Sequence, residues 1–257
     1  MRSLRRILLI INLKTLVITA LAIASTYFCR RFSFTADFPL ALIATAIIFP
    51  IVFSISGAYK RREVALSEYG SIKAHGRAIY FAARDWLESS DAGSQHEIRE
   101  LLGELLKACR KLFTEPRDAM AENEEAVYKL FSRISHFIKG LRKKGLASGE
   151  ASRCNQYLSK MIISFENVKH IYQYRTPRTL RAYSDVFIVL LPILYGPYFA
   201  KISADFTRGL EYLLPVLLTV ILVSLDNIQE HLENPFDLVG EDDVVINVEK
   251  FVSRLDS

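Results

Sequence analysis

The chain contains 257 residues, of which 51% are hydrophobic and 24% are charged, with a formal net charge of +5. Its mean hydropathy is +0.18 despite this share of charge, so the apolar residues are concentrated in blocks, which excludes a disordered or collagen-like chain. Three cysteines, far apart and odd in number, exclude a disulfide scaffold, lack the spacing of zinc ligands and are expected to be reduced thiols.

The first apolar block runs from Ile7 to Phe28 and is interrupted by Asn12 and Lys14. At about 1.5 Å per residue it reaches roughly 33 Å, enough to cross a hydrocarbon core of about 30 Å. Its basic start resembles a signal peptide, but no small-residue cleavage site precedes Cys29-Arg30-Arg31. We therefore expect an uncleaved first span whose Lys14 snorkels toward the inner interface.

The second block, Phe38 to Tyr59, contains no charged residue. Phe49 and Phe53 are four positions apart, so they share one helix face, which Gly57 continues. Two interpretations fit this stripe. The rings either face lipid or pack in a helix contact, or they line a pore as a hydrophobic constriction whose positive ring edges tolerate a partly dehydrated anion. Pro50 allows a bend in the helix.

The segment from Lys60 to Ser184 is polar, with 23 basic and 15 acidic residues. Lys60-Arg61-Arg62 directly follows the second block, so the positive-inside rule puts this segment and both termini in the cytoplasm. Apolar residues at helical spacing predict that the second helix continues past Tyr59. They also predict three further helices: one with a capping box at Ser94 that ends at Pro116, one that ends at Lys143-Lys144-Gly145, and one that ends before Pro177.

The third and fourth blocks, Val186 to Ala200 and Tyr212 to Leu225, reach only about 21–23 Å. Blocks of this length fit buried core helices or a re-entrant hairpin. They also fit spanning helices whose polar ends face protein or water instead of lipid. These polar ends carry Arg181, Asp185, Asp226 and Gln229.

The blocks together predict an all-α membrane protein in four parts. Residues 1–59 form a first transmembrane helix pair, 60–184 a cytoplasmic helical domain, 185–226 a second transmembrane pair, and 227–257 an acidic cytoplasmic tail. From Asp226 onward, the chain contains nine acidic residues and two basic residues. The tail is therefore expected either to pair with the basic middle segment or to bind a divalent cation through carboxylate and carbonyl oxygens.

The sequence carries no enzyme signature and predicts no catalysis. It lacks a glycine-rich phosphate loop, a nucleophile elbow and a zinc-protease motif, and its five histidines lack the spacing of metal ligands. The basic residues of the middle segment have no interleaved aromatic platforms, so we expect a solvated face beside the membrane and no nucleic-acid partner.

The sequence that follows the last apolar block resembles a known family. Asn234-Pro235-Phe236, followed by Gly240-Glu241-Asp242-Asp243, resembles the Asn-Pro-Phe-Gly-Glu-Asp-Asp signature of the bestrophins. Further similar segments occur in the same order along most of the chain: Pro50-Ile51-Val52-Phe53, Ala58-Tyr59-Lys60-Arg61, Tyr174 with Thr176, Pro177 and Tyr183, and Gln229-Glu230-His231-Leu232.

This resemblance implies a homopentamer with a central ion path, four membrane helices in each subunit and a helical cytoplasmic vestibule. It implies passive conduction of chloride and other small anions, with membrane lipid and small ions as partners. No transit peptide is visible, so we expect a bacterial inner membrane, with an organelle membrane as the alternative. Some bacterial members of the family favour cations, so a cation-conducting relative is an alternative. A third hypothesis is a non-conducting membrane scaffold or regulator that binds partners through residues 60–184.

By position, the resemblance makes Phe49 and Phe53 neck residues, with Pro50 between them. The third neck position falls at Gly57, so the neck would have two rings. A calcium clasp of the family's kind would keep Asn234, as a carbonyl donor, with Asp242 and Asp243. The insertion of Asp237-Leu238-Val239, and the valines after Asp243, remove at least one carboxylate and weaken the expectation of calcium gating.

Overall fold

The computed structural model describes residues 11–37, 39–89, 91–174, 177–205, 209–236 and 243–255 of the chain. Over these ranges the regular structure is entirely helical, as the sequence predicts. It consists of α1 (Leu13–Arg31), α2 (Leu40–Asp85), α3 (Ala92–Thr114), a 3₁₀ turn (Arg117–Ala119), α4 (Met120–Lys143), α5 (Ser148–Gln173), α6 (Arg178–Leu194), α7 (Gly196–Asp205), α8 (Leu210–Glu233) and α9 (Val248–Ser253).

The helices fall into two compact units, each built from two separate stretches of chain. Unit 1 comprises Met1–Lys60 and Arg175–Glu233, and unit 2 comprises Arg61–Tyr174 and Asn234–Ser257. Residues 177–184 and 227–233 belong to unit 1, and the predicted boundaries fall after residues 184 and 226. Helices α6 and α8 extend beyond the apolar blocks and include nearly all of these residues.

Unit 1 is apolar both in its core and on its outer surface. Ile51, Ile188, Phe199 and Leu222 are fully or almost fully buried. Two rows of side chains, spaced four residues apart on α6 and α8, are exposed: Val186, Leu190 and Leu194, and Leu213, Leu217 and Ile221. A helix that is apolar on both faces is suited to lipid or to a subunit interface.

Four helical segments among the described residues are long and apolar enough to cross a membrane, judged by length and composition. They are Leu13–Arg31, Ala41–Asp85, Thr179–Ile202 and Glu211–Glu233. The third includes nearly all of α6 and most of α7, which are separated only by Tyr195. The third and fourth segments have 24 and 23 residues because their polar ends are helical as well.

Close backbone packing joins α1 to the junction between α6 and α7. The Ser25 hydroxyl of α1 donates a hydrogen bond to the Ile193 carbonyl at 2.7 Å. A Cβ atom placed on Gly196 would lie 2.3 Å from Ser25 Oγ and 3.1 Å from its carbonyl carbon. Glycine is therefore required at this position, because a larger residue would force the two helices apart.

Unit 2 packs the amphipathic helices α3, α4 and α5 with the later part of α2 around a shared apolar core. Helix α3 begins one turn before the predicted capping box. Its N-cap is Asp91, which accepts hydrogen bonds from Gly93 N–H at 3.1 Å and from the Ser94 hydroxyl at 2.6 Å. The Lys144 ammonium also donates to this carboxylate at 2.7 Å. Asp91 thus takes the N-cap position that the capping box predicts for Ser94.

The described tail residues of unit 2 are held mainly by apolar burial. Phe236, Val244, Ile246 and Phe251 are buried in the unit 2 core, and the Phe236 ring stacks on a phenylalanine of α3 at a centroid distance of 4.9 Å. An ion pair of 3.4 Å between Glu249 and a basic residue of α3 matches the expected contact of the acidic tail with the basic segment.

Candidate functional site

The aromatic stripe of α2, formed by Phe49 and Phe53, lies on the side of the helix that faces away from the unit 1 core. Ile47 and Ile51 are buried in that core, whereas Phe49 and Phe53 are 60% and 62% exposed. The two rings meet edge to face, with centroids 4.8 Å apart and planes at 84°, which sets the positive edge of one ring against the face of the other. Gly57 follows one turn later and adds no side chain. The stripe therefore presents two rings and no third.

Pro50 interrupts the backbone hydrogen bonds of α2 between the two rings. Because proline has no N–H, the carbonyl of Ala46 loses its usual donor one turn later in the helix. The hydroxyl of Tyr183 in α6 donates to this carbonyl at 3.4 Å. A side chain of α6 thus compensates for the proline and ties the backbone beside the aromatic stripe to α6.

Polar side chains from the ends of α1, α6 and α8 meet at a second place in unit 1. The Lys14 ammonium of α1 lies 2.5 Å from the Asp226 carboxylate of α8. The Asn12 amide, which also caps α1, donates to the Asn227 side chain at 3.1 Å. We call this group the polar cluster, and its members are Asn12, Lys14, Arg181, Asp185, Asp226, Asn227, Gln229, Glu230 and Glu233.

Arg181 occupies the centre of the charges in the polar cluster. Its guanidinium lies 4.0 Å from Asp226, 3.3 Å from Asp185, 3.7 Å from Glu230 and 3.4 Å from Glu233. The cluster thus combines four carboxylates with two cations. The Arg181 side chain is 21% exposed, and opposite charges at these distances attract each other strongly where water is scarce.

Burial makes the charges of the polar cluster energetically important. The side chains of Asp226 and Gln229 are fully buried. Asp226 Oδ1, Gln229 Oε1 and Arg181 Nη1 are buried and make no hydrogen bond within the described part of the chain. A buried carboxylate must be paired with a cation, and Lys14 and Arg181 supply the two cations beside Asp226.

The sequence predicted some members of the polar cluster, but it did not predict that they contact one another. It left open whether the polar ends of the short blocks face protein or water, and Asp226 and Gln229 are buried against protein. It did not pair Lys14 with Asp226, which is 212 residues away in the chain. The sequence did contain an indication of this pair, because an ionisable residue within an apolar block, such as Lys14, needs an opposite charge from another block.

The residues expected to form a calcium clasp lie partly outside the described ranges, since Asp242 is not among the residues that the structure describes. Asn234 is described, and its side-chain oxygen is buried and makes no hydrogen bond within the described ranges. The Val244 N–H donates a hydrogen bond to the Pro235 carbonyl at 2.6 Å. Among described residues, no group of three or more His, Cys, Asp or Glu side chains is arranged to hold a metal ion.

Comparison with known proteins gives matches in structure only. No protein-family model matches the chain, and no curated protein matches it. The crystal structure of a bacterial bestrophin homolog from Klebsiella pneumoniae matches with a TM-score of 0.75 and 16% identity, covering 95% of each chain. A point variant of that homolog matches with a TM-score of 0.75 and 17% identity, covering 98% of this chain and 97% of that chain.

A crystal structure of a variant membrane protein also matches, with a TM-score of 0.76 and 17% identity over 95% of this chain and 97% of that chain. At such low identity, a structural match defines the fold and leaves the activity to be argued from the site. The helices, their order and these matches agree with the resemblance found in the sequence. The chain therefore has a bestrophin-like fold, the helical membrane-protein fold of the bacterial bestrophin homologs.

Proposed function

We propose that this chain is the subunit of a homopentameric channel that passes chloride and other small anions passively along the aromatic stripe of α2. The observation that carries the proposal is the exposure of Phe49 and Phe53 on the side of α2 that faces away from the core of its own subunit. Side chains in such a position are available to line a path shared by several copies of the chain. The bestrophin-like fold supports the same conclusion.

The chemistry of the two rings suits a constriction for a partly dehydrated anion. A phenyl ring has a negative face and a positive edge, so an anion is tolerated at the edges of several rings. An apolar constriction without a charged residue also holds a passing ion weakly, which allows rapid release. Because Gly57 adds no third ring, the proposed neck is short, and the two rings control it.

The proposed topology puts both chain termini and unit 2 in the cytoplasm of a bacterium, with four helices in its inner membrane. Arg30 and Glu211 form an ion pair, and Lys201 and Asp37 form another at 2.7 Å. All four residues lie at or beside two helix connections, α1 to α2 and α7 to α8, and this topology assigns both connections to the outer surface. There the two ion pairs would compensate the basic residues that otherwise oppose the positive-inside rule.

The proposed conduction is tested with purified full-length protein in liposomes under a KCl gradient. We expect a reversal potential close to that of chloride. Phe53→Ala should raise the conductance or change the selectivity, because it removes one of the two rings. Phe28→Ala is a matched control, since Phe28 is an equally exposed phenylalanine of α1, and this variant should conduct like the wild type.

Three results would contradict the proposal. A reversal potential at the potassium value would indicate the cation-conducting alternative, and the absence of flux with a monomeric mass in detergent would favour the scaffold alternative. Equal currents for Phe53→Ala and wild type would indicate that the rings serve only in packing.

Repeating the flux assay with and without calcium tests the proposed clasp of Asn234, Asp242 and Asp243. Its reduced set of carboxylates predicts little calcium dependence.

A further inference from the structure

A groove in unit 2 is lined by positive charges from two helices. It lies between the later part of α2 and the short helix α9, and its volume is about 680 Å³. Lys73 and Arg77 on α2, Lys250 on α9 and Arg254, which directly follows α9, line it, and none of the described residues that line it is acidic. Lys73 and Arg77 are one turn apart, so they share one face of α2.

The acidic residues of the same two helices are directed to partners other than the groove lysines. Within unit 2, α2 carries three acidic residues. Glu63 pairs with Arg62, Glu68 accepts a hydrogen bond from the Asn167 amide at 2.8 Å, and Asp85 is held by Arg84 at 2.6 Å. The acidic residue of α9, Glu249, pairs with Arg110 of α3. The groove is thus left with a concentration of like charges.

The position of α9 is fixed by contacts that keep its basic face in the groove. Asn247 caps the helix and accepts a hydrogen bond from the Lys250 N–H at 2.8 Å. Val248 and Phe251 are buried in the unit 2 core. The Arg77 guanidinium donates to the Arg254 carbonyl at 3.3 Å, and this cation near the C-terminal carbonyls stabilises the end of α9.

Three of these cations have no carboxylate partner in the described part of the chain. Lys73, Arg77 and Lys250 have no carboxylate oxygen within 4 Å there, and Lys73 instead lies over the Tyr69 ring at 4.2 Å. Like charges one turn apart destabilise a helix slightly, and their repulsion across a groove adds to this cost. A bound anion would remove both costs.

We propose that this groove binds a phosphate-bearing anion with two or more negative charges. A guanidinium supplies paired donors that match phosphate oxygens, and an ammonium supplies a point charge, so a mixture of arginine and lysine suits a clustered phosphate group. The volume is in the range of small-molecule sites. A soluble polyphosphate and an anionic phospholipid headgroup share this chemistry. The proposal does not depend on ion conduction, because binding is measured without flux.

The proposal is tested with full-length protein in detergent, using sodium tripolyphosphate as the soluble probe in calorimetric titrations at physiological ionic strength. The variant is Lys73→Gln/Lys250→Gln. The matched control is Lys139→Gln/Lys143→Gln, which removes two exposed lysines one turn apart on α4. A charge-assisted contact corresponds to about tenfold in affinity. We therefore expect the groove variant to bind tripolyphosphate about 100-fold more weakly and the control to bind like the wild type.

The lipid source is tested by native mass spectrometry with phosphatidylglycerol and phosphatidylcholine. If the protein retains phosphatidylglycerol but not phosphatidylcholine, and only the groove variant loses it, the ligand is a lipid headgroup. If the protein binds tripolyphosphate and neither lipid, the ligand is a soluble anion. Either result supports the groove. The proposal is overturned if the wild type binds neither probe, or if the groove variant binds as tightly as the control. A second readout is hydrogen exchange of Val248–Ser253, which the bound anion should slow because it bridges α9 to α2.

Discussion

Replacing Lys14 by methionine would remove the ammonium that lies 2.5 Å from the buried Asp226 carboxylate. Methionine keeps most of the length and apolar surface of the lysine stem, so the change acts mainly on charge. Within the described ranges, the carboxylate would keep only the Arg181 guanidinium as a cationic partner, at 4.0 Å. Asp226 is fully buried and cannot turn to water, so we expect the loss to appear directly as a lower free energy of unfolding.

The magnitude follows from the burial of the two partners. Breaking a fully buried ion pair by removing one partner costs about 3–5 kcal/mol. Lys14 is 36% exposed and Arg181 remains, so we expect about 2 kcal/mol for Lys14→Met. Asp226→Asn should cost less, about 1 kcal/mol, because the amide oxygen still accepts a hydrogen bond from Lys14. The double variant should be more stable than the sum of the two changes predicts, by about 1 kcal/mol.

The assay is reversible unfolding of the full-length protein in mixed micelles with an increasing fraction of a denaturing detergent, followed by circular dichroism. Lys129→Met is the control, because Lys129 forms an ion pair of 2.8 Å with Glu125 on the surface of α4 and both side chains are exposed. This exposed pair should contribute nothing measurable. If Lys14→Met destabilises no more than Lys129→Met, or if the double-mutant cycle shows no coupling, the polar cluster is not stabilised by charge.

Three further predictions concern the packing, the helix cap and the buried thiols. Gly196→Ala should lower the free energy of unfolding by about 2–4 kcal/mol, because it overpacks the contact with α1 and breaks a hydrogen bond. The control Gly140→Ala adds a methyl group in open space and should stabilise α4 by about 0.5–1 kcal/mol. Unfolding in denaturing detergent measures both changes. Hydrogen bonds from its lysine and serine partners hold the pKa of Asp91 below its usual 3.8. The stability lost in Asp91→Asn should therefore be seen above that pH and disappear as the pH falls through the lowered pKa. Burial raises the pKa of the Cys109 thiol to about 12 and that of Cys154 to about 11, so neither should react with maleimide near neutral pH until the protein unfolds, as mass spectrometry would record.

The sequence predicted those features of the fold that depend on neighbouring residues. The continuation of α2 past Tyr59 and the end of α4 near Gly145 follow from helical periodicity and from a glycine at a positive φ of 100°. Helix α3 starts earlier than predicted because Asp91 competes with the capping box at Ser94. Asp91 gains two local hydrogen bonds and a long-range one from Lys144, which the sequence does not reveal. A helix end is therefore predictable when neighbouring residues determine it, and less so when a residue far along the chain contributes.

The candidate site depended on contacts between distant residues and was only partly predictable. Helical spacing placed Phe49 and Phe53 on one face, but their direction away from the core required the positions of α6 and α8. The donor to the Ala46 carbonyl comes from Tyr183, 137 residues later. A proline in an apolar helix indicates that some donor is needed, and only the tertiary structure identifies it.

The division of unit 2 into two stretches of chain has a consequence for biosynthesis. Its first stretch ends at Tyr174, and its core is completed only by Phe236, Phe251 and other residues of the second stretch. Roughly sixty residues separate the two stretches, which takes about 3–12 s at common rates of translation. During this interval Phe113 lacks the ring that stacks on it.

The residues translated in that interval form the second helix pair of unit 1. Unit 2 therefore cannot complete its core before α6, α7 and α8 have left the ribosome. Apolar surface of α3 and α5 stays exposed while these helices are inserted, which makes the nascent chain sensitive to chaperones and to aggregation. The order of the chain thus places the synthesis of the last helices of unit 1 before the completion of the unit 2 core.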